Sequence, residues 1–203
     1  MEENDKTLNS FDESQSIQVI KEMIQVSQKN FKNDGILFIL WGWLMFYNYV
    51  SYYIIYKIVM TFQMKKIYDY FGYALTLIAI AFTVYYVYKK SKKVKTYIGV
   101  SLRYVWISLF AFVILASIMT NNGMLGINLE FQHSFYMMFI AFAIIITGGI
   151  LRYKLVIIGG IIFGGLAYVC SYFDIQTQYL FHAAAWLIAF IIPGHILYSH
   201  RKQ

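Results

Sequence analysis

Apolar stretches long enough to cross a bilayer fill nearly everything after Gly35, and none carries an acidic or basic residue near its middle. A chain that is 60% hydrophobic, 20% aromatic and only 13% charged cannot cover its outside with water-facing groups, so the solvent of residues 35–203 is mostly lipid. A helix needs about 20 apolar residues to cross a hydrocarbon core of about 30 Å. Six stretches supply that length, at 35–56, 70–88, 104–120, 132–150, 154–172 and 178–198. Alternation with a period of two does not run through them, which favours helices over a closed barrel. The expected fold is therefore all-α: a six-transmembrane-helix bundle over residues 35–203, preceded by a polar N-terminus and a cytoplasmic amphipathic helix within residues 1–34.

The net charge of +7 does not point to nucleic acid, because its position along the chain has another explanation. Lys and Arg concentrate in short segments beside the spans, as expected where charge sets orientation in a membrane. With both termini cytoplasmic, all of the 17 Lys and Arg residues except Lys57, Lys65 and Lys66 fall on the inner side. The outer loops around Asn121–Glu130 and Phe173–Gln178 contain none. The opening residues, MEENDKTLNS, carry acids where a secretory signal is basic, so no cleavable signal is expected and the chain reads as a multi-pass protein of the cytoplasmic (inner) membrane.

Ser10-Phe11-Asp12-Glu13 has the S-x-x-E pattern of a capping box and marks a helix start. Ile17, Ile20, Ile24 and Phe31 then recur at helical spacing, widened by Val19, Met23 and Val26 and opposed by Lys21, Glu22, Gln25 and Lys29. An interfacial helix on the inner leaflet accounts for this pattern. The sharper reading is a docking helix for a cytoplasmic protein partner through residues 13–31, since about two heptads of an a/d seam are present; a coiled coil needs three or four. Tyrosines cluster at the span ends, at Tyr52, Tyr53 and Tyr56, at Tyr68, Tyr70 and Tyr73, and at Tyr85, Tyr86 and Tyr88. There the phenol stays wet and the ring apolar, so an anchoring belt explains most of the 19 tyrosines.

Small residues mark where helices approach closely in lipid. Gly160, Gly164, Ala167 and Ser171 share one face of the fifth span, and Ala185 and Ala189 share a stripe of the sixth, so these two spans are expected to pair as a tight hairpin. Homodimerisation through Gly160-x-x-x-Gly164 is the rival use. The single proline, Pro193, with Gly194 beside it, predicts a kink or hinge near the inner end of span six.

The best site candidates are polar groups near the outer face. Glu130 and His133 have the Glu-x-x-His spacing that carboxylate metal sites use. His182 shares the stripe of Ala185 and Ala189, which points it into the bundle, and Asp174 caps the fifth span on the same side. Convergence of Glu130, His133, His182 and Asp174 would suit a divalent metal such as Zn, Fe or Mn; a haem between His133 and His182 is a variant. The ordinary alternative is two solvated loop acids, one headgroup histidine and one histidine hydrogen-bonded to a neighbouring helix. Cys170 alone forms no internal disulfide and reads as a packing residue. No nucleophile elbow, H-E-x-x-H or P-loop pattern occurs, and no carboxylate is expected inside a span, which weighs against enzymatic chemistry and ion-coupled transport.

Three segments carry a family resemblance: Glu13-Ser14 followed by Ile20-Lys21-Glu22-Met23-Ile24, then Leu40-Trp41-Gly42-Trp43-Leu44, then Ile192-Pro193-Gly194-His195. In their order along the chain they resemble a family of small, uncharacterised bacterial six-span integral membrane proteins. The resemblance implies an architecture and brings no activity, cofactor or catalytic residue. The leading expectation is a non-enzymatic membrane protein that binds a partner, lipid or small apolar ligand and needs no cofactor, with homo-oligomers allowed. A transporter or channel for a neutral solute, lined by Asn48 and tyrosines, is the second, and a metal site at the outer mouth is the third.

Overall fold

With no proline before Pro193, no residue in the earlier apolar stretches is barred from a helix interior by a missing N–H. A computed structural model of the chain describes residues 15, 17–19, 21–22, 35–57, 62–93, 97–121 and 131–199. Among these the regular elements are all helical: α1 (Ile36–Lys57), α2 (Phe62–Lys93), α3 (Tyr97–Asn121), α4 (Gln132–Leu151), α5 (Lys154–Cys170) and α6 (Ile175–Trp186), then a π turn (Leu187–Ile191) that runs into α7 (Ile192–Ser199). Most of the expected leading helix, and Glu130, lie outside the described residues. Those described at its centre are helical and exposed, Ile17 at 66% and Val19 at 51%.

Among the described residues four helices are long and apolar enough to cross a membrane: Gln63–Lys89, Ile98–Thr120, Gln132–Leu151 and Ile175–Ser199. This is fewer than the six expected. The fifth stretch forms the shorter apolar helix Lys154–Cys170, and α1 is diluted by Trp41, Trp43, Asn48 and five tyrosines although it has 22 residues. A second difference concerns α2. It starts eight residues before the expected Tyr70, because nothing between Phe62 and Tyr70 breaks a helix. Asp69 therefore lies near the start of the candidate span Gln63–Lys89, whereas no carboxylate was expected inside a span.

Burial separates core from periphery. Only 6% of the apolar window of α2, and of α3, is buried, against 44% in α4 and 56% in the final run. The core forms where α4, α5 and the final run meet, around Met137, Ile144, Phe163, Trp186 and Phe190. Glycines set its closest approaches. A Cβ on Gly160 would fall 3.1 Å from the Ile145 amide nitrogen, and one on Gly148 would fall 2.8 Å from that of Ile157. Gly164 faces Ala141. The Gly160-x-x-x-Gly164 face thus packs on α4, where the sequence reading paired it with Ala185 and Ala189; the neighbouring Gly159 is the residue that meets Ala189. Chain length explains the difference. Two residues, Arg152 and Tyr153, join α4 to α5, whereas four join α5 to α6, so the tighter connection holds the tighter pair. Arg152 closes α4 in the left-handed region at φ 50°, and its N–H returns to the carbonyls of Gly148 and Gly149.

The last segment changes helix type in place. Pro193 has no N–H, and the preceding π turn rearranges the ladder so that the Ile192 N–H donates five residues back to the Leu187 carbonyl. Pro193 and Gly194 are both buried. Gly194 is wedged against α1, where a Cβ would stand 3.0 Å from the Ile39 amide nitrogen, and Gly42 lets Phe190 and Ile191 approach from the same side.

Candidate functional site

The start of α6 is fixed by its cap. Asp174 Oδ2 accepts from the Thr177 N–H at 3.3 Å and Oδ1 accepts from the Thr177 hydroxyl at 2.7 Å. These bonds hold the exposed Asp174 carboxyl below its ordinary pKa, the hydroxyl contributing most. Gln178 follows one position on, its Nε2 donating to the Phe173 carbonyl at 2.8 Å. One further turn brings His182 inward, fully buried on the stripe it shares with the buried Ala185 and Ala189.

Two other helices complete its surroundings. The ring of Tyr49 from α1 stacks on the His182 imidazole with centroids 4.1 Å apart and planes 17° from parallel. His133, in the first turn of α4, meets His182 edge to face at 5.5 Å and 83°. Tyr179 lies against His133 at 4.9 Å, and Tyr52 and Tyr56 each stand 5.6 Å from Tyr179. The result is a column of aromatic rings leading from the Lys57 end of α1 down to a pair of imidazoles.

No well-formed hydrogen bond reaches either ring nitrogen of His182, on which the backbone of His133 acts as a weak hydrogen-bonding neighbour, and none reaches Trp186 Nε1 one turn further on. A buried donor or acceptor left unsatisfied costs about 1–3 kcal/mol, and such groups are scarce in folded proteins. Thr147 Oγ1 is buried in the same way, and His182 is distinguished by the second imidazole beside it.

Of the four residues expected to converge on a metal, the structure brings His133 and His182 together. Asp174 does not join them, because its carboxylate is exposed and held by Thr177. Among the described residues no group of three or more His, Cys, Asp or Glu side chains converges on one point. Cys170 is buried, with Sγ 4.0 Å from the Gln178 carbonyl. Sequence reasoning missed Tyr49 and Gln178. Gln178 was signalled by its place four residues before His182, whereas nothing distinguishes Tyr49 from the other tyrosines.

Two clefts lie apart from the imidazoles. Tyr52 borders one of them, between α1 and α2, where Asn48, Ser51, Tyr68, Asp69 and Gly72 enclose space for about one water molecule. The other is an apolar groove of about 150 Å³ between α5 and the final run, beside Pro193. At that end of the bundle the Trp43 indole N–H donates to His195 Nε2 at 3.2 Å. No family model, no curated protein and no solved structure matches this chain.

Proposed function

We propose that this chain is a six-span, non-enzymatic protein of the cytoplasmic membrane that binds a small ligand between His133, His182 and Tyr49. The carrying observation is His182: a fully buried imidazole with no well-formed hydrogen bond at either nitrogen, placed by a capped helix start against a second imidazole. Folding tolerates such a group where something else completes its hydrogen bonding or coordination. The ligand is an ion or a molecule of very few atoms, because stacking on Tyr49 at 4.1 Å leaves no room for a larger one.

The orientation rests on charge. Basic residues beside the spans gather on the side of Arg152 and the chain ends, which becomes the cytoplasmic side, and the imidazoles then lie in the outer half of the bundle. In this arrangement α1 and α5 are spans too, and residues 13–31 form an amphipathic helix at the inner surface, available to a cytoplasmic protein partner. The cleft at Asn48 and the groove at Pro193 share no lining residue, so a solute path draws no support from them.

Native mass spectrometry of protein released from the membrane tests the binding reading. The wild-type chain is expected to carry a mass adduct that His182→Leu lacks. Masses for both that equal those of their bare chains would remove the reading.

A further inference from the structure

The apolar groove between α5 and the final run has the form of a slot along the helix axes. Ile158 and Ile162, one turn apart, make one wall, and Ile188, Ile192 and Ile196 repeat at the same spacing on the other. Gly159 lies at the floor: a Cβ there would stand 3.0 Å from the Ala189 Cα, so the two backbones meet along this line and the isoleucines stand to either side. Ile158 and Ile192 are about half exposed, which opens the slot to the surroundings of the bundle. Its lining residues are all apolar.

One end of the slot meets positive charge. Lys154 precedes Ile158 and Ile162 at four-residue intervals and so heads the same wall, and both Lys154 and the nearby Arg152 are exposed. α5 starts here without a side-chain cap, which turns the positive end of its dipole to the same point. The described carboxylates beyond Gly35, Asp69 in the cleft with Ile55 and Asp174 at the start of α6, belong to the opposite end of the bundle. The complement of this mouth is therefore an anion carried by an apolar chain. Length agrees: from Lys154 to Ile162 the wall runs about 12 Å at the helical rise, against about 15 Å for the hydrocarbon of one leaflet. A second copy of the chain fits less well, because association in lipid uses small residues and Gly160 and Gly164 already face α4.

We infer that this groove holds an anionic phospholipid, with one acyl chain between the isoleucine walls and the phosphate at Lys154. The site rests on α5 and the final run crossing the bilayer, as proposed above, and is separate from the ligand of His182. The acyl chain gains contact with two walls at once, and the phosphate meets a cation at the edge of the hydrocarbon.

The test embeds the full-length protein in nanodiscs of equal parts phosphatidylglycerol and phosphatidylcholine, releases it into mild detergent and identifies the retained lipid by native mass spectrometry. Wild type is expected to retain about one phosphatidylglycerol per chain in preference to phosphatidylcholine, and Lys154→Gln about fivefold less of it. Ile158→Trp fills the groove and is expected to retain neither lipid, whereas His182→Leu retains as much as wild type. Lys154 and Ile158 are both exposed, so these changes leave the core in place, and each variant is compared at a wild-type elution volume. Equal phosphatidylglycerol on wild type and both groove variants, or none on wild type, overturns the site. Loss in Ile158→Trp without loss in Lys154→Gln overturns the anionic assignment. A lipid-free wild-type dimer that Ile158→Trp converts to monomer gives the groove to a second copy and overturns the lipid. Phosphatidylglycerol retained as expected while wild type and His182→Leu carry no other mass difference from their bare chains would support this site and remove the ligand reading.

Discussion

A histidine that gives up water at both ring nitrogens and receives no well-formed hydrogen bond in return is a net burden on folding, and at His182 that burden is the argument for a ligand. The contrast with Asp174, two turns earlier, is instructive. Its carboxylate is fully paired with Thr177 and fully exposed, so its role is to start α6. Because its pKa in the folded protein lies below the unfolded value, its contribution to stability is present above about pH 4 and is lost as pH falls through the lower folded value. Asp174→Asn should therefore be less stable than wild type at neutral pH, with the gap in apparent melting temperature closing near pH 3. A gap that stays constant between these pH values would show that the carboxylate charge has no part in the cap. At this scale the sequence was partly readable. The shared stripe with Ala185 and Ala189 placed His182 inward, but the start of α2 before Tyr70 was not readable, because no capping pattern marks it.

Helix pairing follows from which glycine faces which backbone. A stripe of small residues announces close approach without naming the partner, which is why Gly160 and Gly164 were paired with the wrong helix; the length of the α4–α5 connection was the better guide. Gly160 and Gly165 lie on different faces of α5 and should respond oppositely to an added methyl group. At Gly160 the new Cβ meets the Ile145 backbone, and the helices must separate, at a cost of about 1–3 kcal/mol. At Gly165 nothing stands within 4 Å, so Ala should be neutral or stabilise by up to about 1 kcal/mol through helix propensity. Melting temperatures of Gly160→Ala and Gly165→Ala measured side by side check this; equal values would mean that α4 and α5 do not meet through Gly160. The π turn was not readable beyond the expectation of a kink, since Pro193 dictates a lost hydrogen bond and leaves open how the ladder absorbs it.

For the molecule as a whole, apolar length was the most readable property, and the surroundings of the helices the least. The sparse burial of α2 and α3 beside a dense α4–α5–α6 core fits a chain whose outer helices are covered by lipid, where apolar exposure carries no penalty. In such a bundle the core supplies the stability, and a polar group inside it that does not contribute is conspicuous. The central claim is that His182 serves a ligand at the expense of the fold. Its most direct test is the thermal unfolding of ligand-free His182→Leu beside ligand-free wild type. The account predicts an unchanged or higher midpoint, because an apolar side chain of similar volume removes two unsatisfied nitrogens and keeps the packing against Tyr49. A midpoint lowered by more than about 4 °C, roughly 1–2 kcal/mol for a chain of this length, would identify His182 as part of the structural core and contradict the account.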